Sequence, residues 1–100
     1  MNLIYDNIDK IRALCERYKV KSMYVFGSVL NNRFNDDSDI DLLFSFKSDI
    51  DFNNYSNNFF DLWENLKSLL GRNVDLVDER TVRNPYFKEE VEETKKLIYG

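Results

Sequence analysis

Three short apolar runs, residues 23–26, 40–46 and 74–77, constrain this chain most. They are the length of buried strands, and the stretches between them are patterned for helices or turns. Ile4, Ile8, Ile11, Cys15 and Tyr18, with Leu14 alongside, recur at helical spacing and predict a helix over residues 3–18. Val20-Lys21-Ser22 breaks that pattern before the first strand. Ser28 is placed to cap a short helix running to about Asn32, and residues 31–38 form a turn-rich polar loop. Residues 47–58, rich in Asn, Asp and Ser, read as a surface connection of low order. Phe59, Leu62, Trp63, Leu66, Leu69 and Leu70 predict an amphipathic helix closed by Gly71. Asn84-Pro85 opens a further helix, Asn as cap and Pro in the first turn, with Glu89 and Glu90 suiting the dipole of its acidic first turn. Residues 96–99 read as a last short strand, and Asp78 as part of a turn. Helices alternating with short buried strands imply an α/β fold, one sheet with helices against it.

Size permits one domain over residues 1–100. With 43% hydrophobic and 15% aromatic residues, the chain has enough apolar mass for a core, much of it Phe and Tyr. The net charge of −4 is a poor match for a phosphate backbone, and the lysines at 19–21 and 95–96 read as solvated helix ends. No direct nucleic-acid binding is expected. With no histidine, acid–base chemistry near neutral pH falls to carboxylates or water, and His-based zinc sites and triads are excluded. The single cysteine, Cys15, lies in a helical apolar stripe and is expected in the core. No apolar run approaches a membrane span, and no signal-peptide pattern opens the chain, so no membrane association and a cytoplasmic location are expected.

Eleven aspartates create three Asp-x-Asp spacings, at 37/39, 39/41 and 49/51, so the spacing alone carries almost nothing. Context separates the second. Asp39 and Asp41 lead into Leu42-Leu43-Phe44, and alternation along a strand points both carboxylates the same way. Two such charges about 6 Å apart repel by roughly 3 kcal/mol at an effective dielectric near 20. Mg²⁺, which takes oxygen ligands, would relieve that, although a strand simply ending in water would leave the same pattern. Val25-Phe26-Gly27-Ser28 runs a strand into a Gly-Ser turn. Gly permits close backbone approach, and a following helix start would offer N–H groups to a phosphate. An ordinary capped turn reads the same way. Asp75 interrupts an apolar strand, which is costly unless the group is paired, metal-bound or on an edge facing solvent.

Together these features are more specific. Gly27-Ser28, ten residues, Asp39-Ile40-Asp41 and a later strand aspartate resemble the signature of the nucleotidyltransferase superfamily that includes the DNA polymerase β palm. Tyr24-Val25-Phe26-Gly27-Ser28, Ser38-Asp39-Ile40-Asp41-Leu42-Leu43 and the stretch from Asn84-Pro85-Tyr86-Phe87 to Leu97-Ile98-Tyr99 are similar to its minimal nucleotidyltransferase branch. The resemblance spans essentially the whole chain. It implies the nucleotidyltransferase fold, an α/β (α+β) arrangement in which a small mixed sheet carries helices mainly on one face. It implies that Gly27 and Ser28 cradle the triphosphate of ATP, and that Asp39 and Asp41 bind Mg²⁺. Asp75 would act as a third ligand or as base for the attacking hydroxyl. Asn31 stands where the branch often has arginine; Arg33, two residues on, is the candidate to reach the phosphates instead.

Stand-alone chains of this size resemble the antitoxin of HEPN/MNT toxin–antitoxin pairs. That implies a HEPN-type toxin as partner and transfer of AMP to one of its tyrosines. Two other readings remain: an aminoglycoside-like small-molecule nucleotidyltransferase, whose usual added helical domain has no room here, and a non-catalytic antitoxin that neutralises by docking. Aromatics bunched at Phe59, Phe60 and Trp63, and at Tyr86-Phe87, are mostly core material, with some available as an exposed patch for a partner, and the surplus is compatible with a homo-oligomer.

Overall fold

The apolar stripe of the first eighteen residues does form helix, but in two pieces. The computed structural model describes residues 2–27 and 39–100, apart from the side chains at positions 2 and 52. Helix α1 spans Asn2–Asp6 and α2 spans Ile8–Arg17. The break is chemical: the Asn7 side-chain amide donates to the Leu3 carbonyl at 2.9 Å, the acceptor that its own N–H would use in an unbroken helix. That N–H bonds Ile4 O instead, at 3.1 Å. After α2, Lys19 adopts φ 62° and turns the chain into the first strand.

Strand β1 covers Val20–Phe26 and β2 covers Ile40–Phe46. β1 starts three residues before the expected position, because Val20 is fully buried and a register shift between Val20 and Ser22 accommodates the polar pair that obscured the strand pattern. The Ser28 cap, the short helix expected after it and the loop over residues 31–38 lie outside the described residues.

Helix α3 runs Phe52–Leu70, seven residues earlier than the spacing of its leucines indicates. Its Asn-rich first turns have low helix propensity, but tertiary contacts override it. Asp51 caps the start by accepting from Asn53 N at 3.0 Å. Tyr55 packs edge-on against Phe46 with centroids 5.3 Å apart, and its hydroxyl donates to Asp78 at 2.5 Å. Gly71, at φ 65°, closes the helix in the left-handed conformation. Strand β3 (Val74–Asp78) leads into a single 3₁₀ turn at Glu79–Thr81. Helix α4 (Pro85–Thr94) is capped by Asn84, which accepts from Tyr86 N and Phe87 N. Its first turn holds no acidic residue, since Glu89 and Glu90 fall in the second turn. Strand β4 is Lys96–Tyr99, where expected.

The strands form one sheet in the order β3-β2-β1-β4. β1 is antiparallel to both β2 and β4, and β2 is parallel to β3 with α3 as the crossover, so the sheet is mixed, as expected. One face packs against α1, α2 and α3. There Ile4, Ile11, Cys15, Leu62 and Leu66 meet Met23, Val25, Ile40, Leu42 and Phe44, all fully buried. Among the described residues the other face carries only α4, where Val91 joins Phe26 and Leu43 in a smaller cluster, so the described helices lie mainly on one face. No helix among the described residues is long and apolar enough to cross a membrane.

Candidate active site

Alternation along β2 builds the site. Ile40, Leu42, Phe44 and Phe46 enter the main core, which turns Asp41, Leu43 and Ser45 to the opposite, α4-bearing face. Asp41 is half-buried and lies between two partners: Phe26 across the antiparallel pair and Asp75 across the parallel one. Register partners on neighbouring strands share a face at a strand spacing near 4.8 Å. Two like charges so placed need a cation or abundant water between them.

Asp75 meets that requirement partly by position. β3 is the sheet's edge strand and Asp75 is exposed, so an apolar strand holds a carboxylate without burying it. Asp39 stands one residue before β2 and is exposed; the ladder to β3 begins beside it, where Ile40 N donates to Asn73 O at 3.0 Å. The structure therefore brings Asp41 and Asp75 side by side and leaves Asp39 at the mouth of the strand. Among the described residues, no group of three or more His, Cys, Asp or Glu side chains is arranged to hold a metal ion.

Gly27 ends β1 directly after the partner of Asp41. Its φ is 79°, and a Cβ built there would run into the Asp41 carboxylate, coming within 3.1 Å of Cγ. The carboxylate already fills the space a side chain at position 27 would need, and glycine lets backbone and acid pack that closely. Ser28 and Arg33, the other residues of the expected phosphate cradle, lie outside the described residues.

The donor set suits Mg²⁺. It consists of oxygens only, and Mg²⁺ retains water and uses one or two protein carboxylates together with substrate phosphates, rather than a closed protein cage. A pair of adjacent aspartates, one packed against the bare backbone of Gly27, is that kind of half-site.

Asp78, expected in a turn, ends β3 instead and is the one buried charged residue among those described, at 5% exposure. It points to the α3 side, away from the acid pair. Arg80 bridges it at 3.1 Å and Tyr55 donates to it. Burial works to raise its carboxyl, but the hydrogen bonds from Arg80 and Tyr55 outweigh that and hold it below the usual carboxylate range. Burial and the bond to Asp78 push the Tyr55 hydroxyl up to about 12. This trio anchors the start of α3 to the end of β3. Cys15 is in the core as expected; its Sγ contacts Met23 Sδ at 3.7 Å, and burial raises the thiol to about 12. Lys95 is not a freely solvated helix end: Nζ lies 4.1 Å from the Tyr24 ring centroid and 2.9 Å from Glu92.

Sequence reasoning missed the aromatic wall of the site. Phe26, opposite Asp41, contacts Phe87 of α4 with ring centroids 5.8 Å apart. In the sequence, residues 86 and 87 read as part of the family resemblance and as core or partner-patch aromatics; their nearness to Asp41 comes from the fold, which no spacing reveals.

Known proteins support the same picture. The profile of the family described as Polymerase beta, Nucleotidyltransferase matches residues 9–100. A Methanocaldococcus jannaschii chain that carries the name protein adenylyltransferase is 43% identical over 88 residues, covering 88% of this chain and 84% of that one. A solved minimal nucleotidyltransferase structure superposes with a TM-score of 0.77 at 31% identity, covering 96% and 95% of the two chains. Two toxin–antitoxin structures are also similar. One, with AMP-PNP, has a TM-score of 0.72 at 28% identity and covers 94% and 73%. The other, a tri-AMPylated Shewanella oneidensis HEPN toxin with its MNT antitoxin, has a TM-score of 0.66 at 26% identity and covers 96% and 71%. With a family match across nearly its whole length, this chain belongs to the polymerase β nucleotidyltransferase family.

Proposed function

We propose that this chain is a protein adenylyltransferase that moves AMP from ATP to a tyrosine hydroxyl of a HEPN-type toxin and so acts as its antitoxin. The observation that carries the reading is the register of Asp41 with Asp75, on one face, with Asp41 packed against Gly27. Relatives of similar length bear the adenylyltransferase name, and a similar antitoxin is found with an AMP-modified HEPN toxin.

Gly27 and Ser28 hold the triphosphate through backbone N–H groups and the serine hydroxyl, with Arg33 as the added cation. Asp39 and Asp41 would hold Mg²⁺, with Asp75 as a third ligand or as the base that takes the hydroxyl proton. Bound Mg²⁺ would supply charge stabilisation to the attacking and leaving oxygens. The tyrosine oxygen attacks the α-phosphorus in line, a new P–O bond forms, and the bond to the bridging oxygen breaks to release pyrophosphate. The chain itself contributes positioning and electrostatics, not a covalent intermediate. No direct nucleic-acid contact and no membrane is involved, and the reaction draws on the cytoplasmic ATP pool.

The test is intact mass spectrometry of a HEPN partner incubated with this chain, ATP and Mg²⁺. Gain of one or more AMP units, lost with Asp39→Ala or Asp41→Ala while the variants stay folded, is the expected result. Neutralisation of the toxin without any mass gain would instead establish the docking mode. A folded Asp41→Ala variant that modifies the partner as wild type does would remove the proposed site.

A further inference from the structure

Phe87 lies where its ring has a use that packing alone does not explain. It contacts Phe26 edge-on, with centroids 5.8 Å apart and planes inclined at 74°. Phe26 is both the register partner of Asp41 and the residue before Gly27. Yet Phe87 stays 37% exposed, and Tyr86 beside it 82% exposed, whereas Phe44 in the main core is fully buried. The exposed rings therefore stand at the acid end of the sheet.

The helix explains how they come there. Phe87, Val91 and Lys95 follow at intervals of four and share one face of α4. Val91 packs in the cluster with Phe26 and Leu43, and Lys95 lies over Tyr24. The stripe thus crosses the Asp41 face of the sheet, with Phe87 at its Gly27 end. Asn84 holds this turn in place by accepting from the N–H groups of Tyr86 and Phe87. A register step plus one ring contact puts Phe87 on the order of 10 Å from Asp41, about the reach of a nucleoside from its phosphates.

We propose that Phe87, backed by Phe26, is the platform on which the base of the bound nucleoside triphosphate stacks. This rests on the reading that Gly27 and Asp41 mark the triphosphate end of the site. Every base has a π-face, so stacking here orients the nucleotide without selecting adenine. The base then directs the α-phosphate toward the acid pair, and Phe87 acts as a binding and positioning group.

The experiment is calorimetric titration, with Mg²⁺ present, of ATP, GTP and inorganic tripolyphosphate into wild type, Phe87→Leu, Phe87→Trp and Asp41→Asn. Phe87→Leu keeps an apolar side chain against Phe26 and removes the ring; its urea midpoint serves as the folding check. Expected is a loss of about tenfold in affinity for both ATP and GTP, no change for tripolyphosphate, and recovery with Phe87→Trp. Asp41→Asn is expected to weaken all three ligands. If Phe87→Leu binds ATP as wild type does while Asp41→Asn does not, the base lies elsewhere and the platform is overturned. Equal weakening of tripolyphosphate by Phe87→Leu overturns it too. If Asp41→Asn binds all three ligands as wild type does, the triphosphate reading itself fails.

Discussion

Gly27→Ala separates the backbone's demand for glycine from the site's demand for it. Residue 27 sits at φ 79°, where an L-residue costs roughly 1–2 kcal/mol. The new methyl would also meet the Asp41 carboxylate, with Cγ at 3.1 Å and Cβ at 3.3 Å, so the acid must swing away. Gly71→Ala is the matched control. Its φ is 65°, and a Cβ there has nothing within 4 Å. Both variants should therefore lose about 1–2 kcal/mol in urea unfolding, a fold-preserving change. Only Gly27→Ala should lose AMP transfer. Displacing a reacting group by about 1 Å costs on the order of 10²-fold in rate. Rates of AMP transfer to a HEPN partner at saturating ATP, measured on both variants, decide the matter. Full activity in Gly27→Ala, or an equal loss in Gly71→Ala, would refute the argument that position 27 is kept bare for the acid.

Other expectations follow from the packing and the buried charge. Leu62→Ala empties a fully buried position between α3 and the sheet and should cost about 2–5 kcal/mol, read as a lowered urea midpoint. Asp78 has its carboxyl held below the unfolded value, so its contribution is present above about pH 4 and is lost as pH falls through the folded value. Asp78→Asn should cost about 1–3 kcal/mol at pH 7 and flatten the acid limb of a stability profile measured by circular dichroism. The Tyr55 hydroxyl, raised to about 12, stabilises in the opposite sense: its contribution is complete below the unfolded value near 10 and disappears as pH climbs toward 12. Tyr55→Phe should therefore lose stability at neutral pH and show a weaker alkaline decline. Cys15, fully buried with its thiol near 12, should react with a thiol reagent only when the protein is unfolded; fast native-state labelling would contradict its core placement.

Much of this was legible because apolar spacing and punctuation agreed. The β2 run at residues 40–46, the Gly71 cap, the Asn84-Pro85 helix start and the final strand stand where their residues indicate. Most of what escaped was decided by contacts distant in sequence. Residues 52–58 have poor helix formers, yet Tyr55 is fixed by Phe46 and Asp78, residues that no local pattern links to it. Val20 is strand because β2 pairs with it around a register shift. Asn7 splits the first helix through one side-chain hydrogen bond, an event that spacing does not encode. In the site, alternation predicts a shared face for Asp39 and Asp41, but β2 starts at Ile40, and it is the parallel register that sets Asp75 beside Asp41. The Phe26–Phe87 contact needed α4 to fold back across the sheet, so it was invisible until the strand order was known.

The central claim concerns the place of one ion. Crystals of this chain grown with Mn²⁺ and a non-hydrolysable ATP analogue would locate it through manganese anomalous scattering. The account expects a peak bridged by the Asp41 and Asp75 carboxylates, with the triphosphate alongside Gly27. Manganese bound with the nucleotide anywhere else, or a peak unchanged by Asp41→Asn, would contradict it.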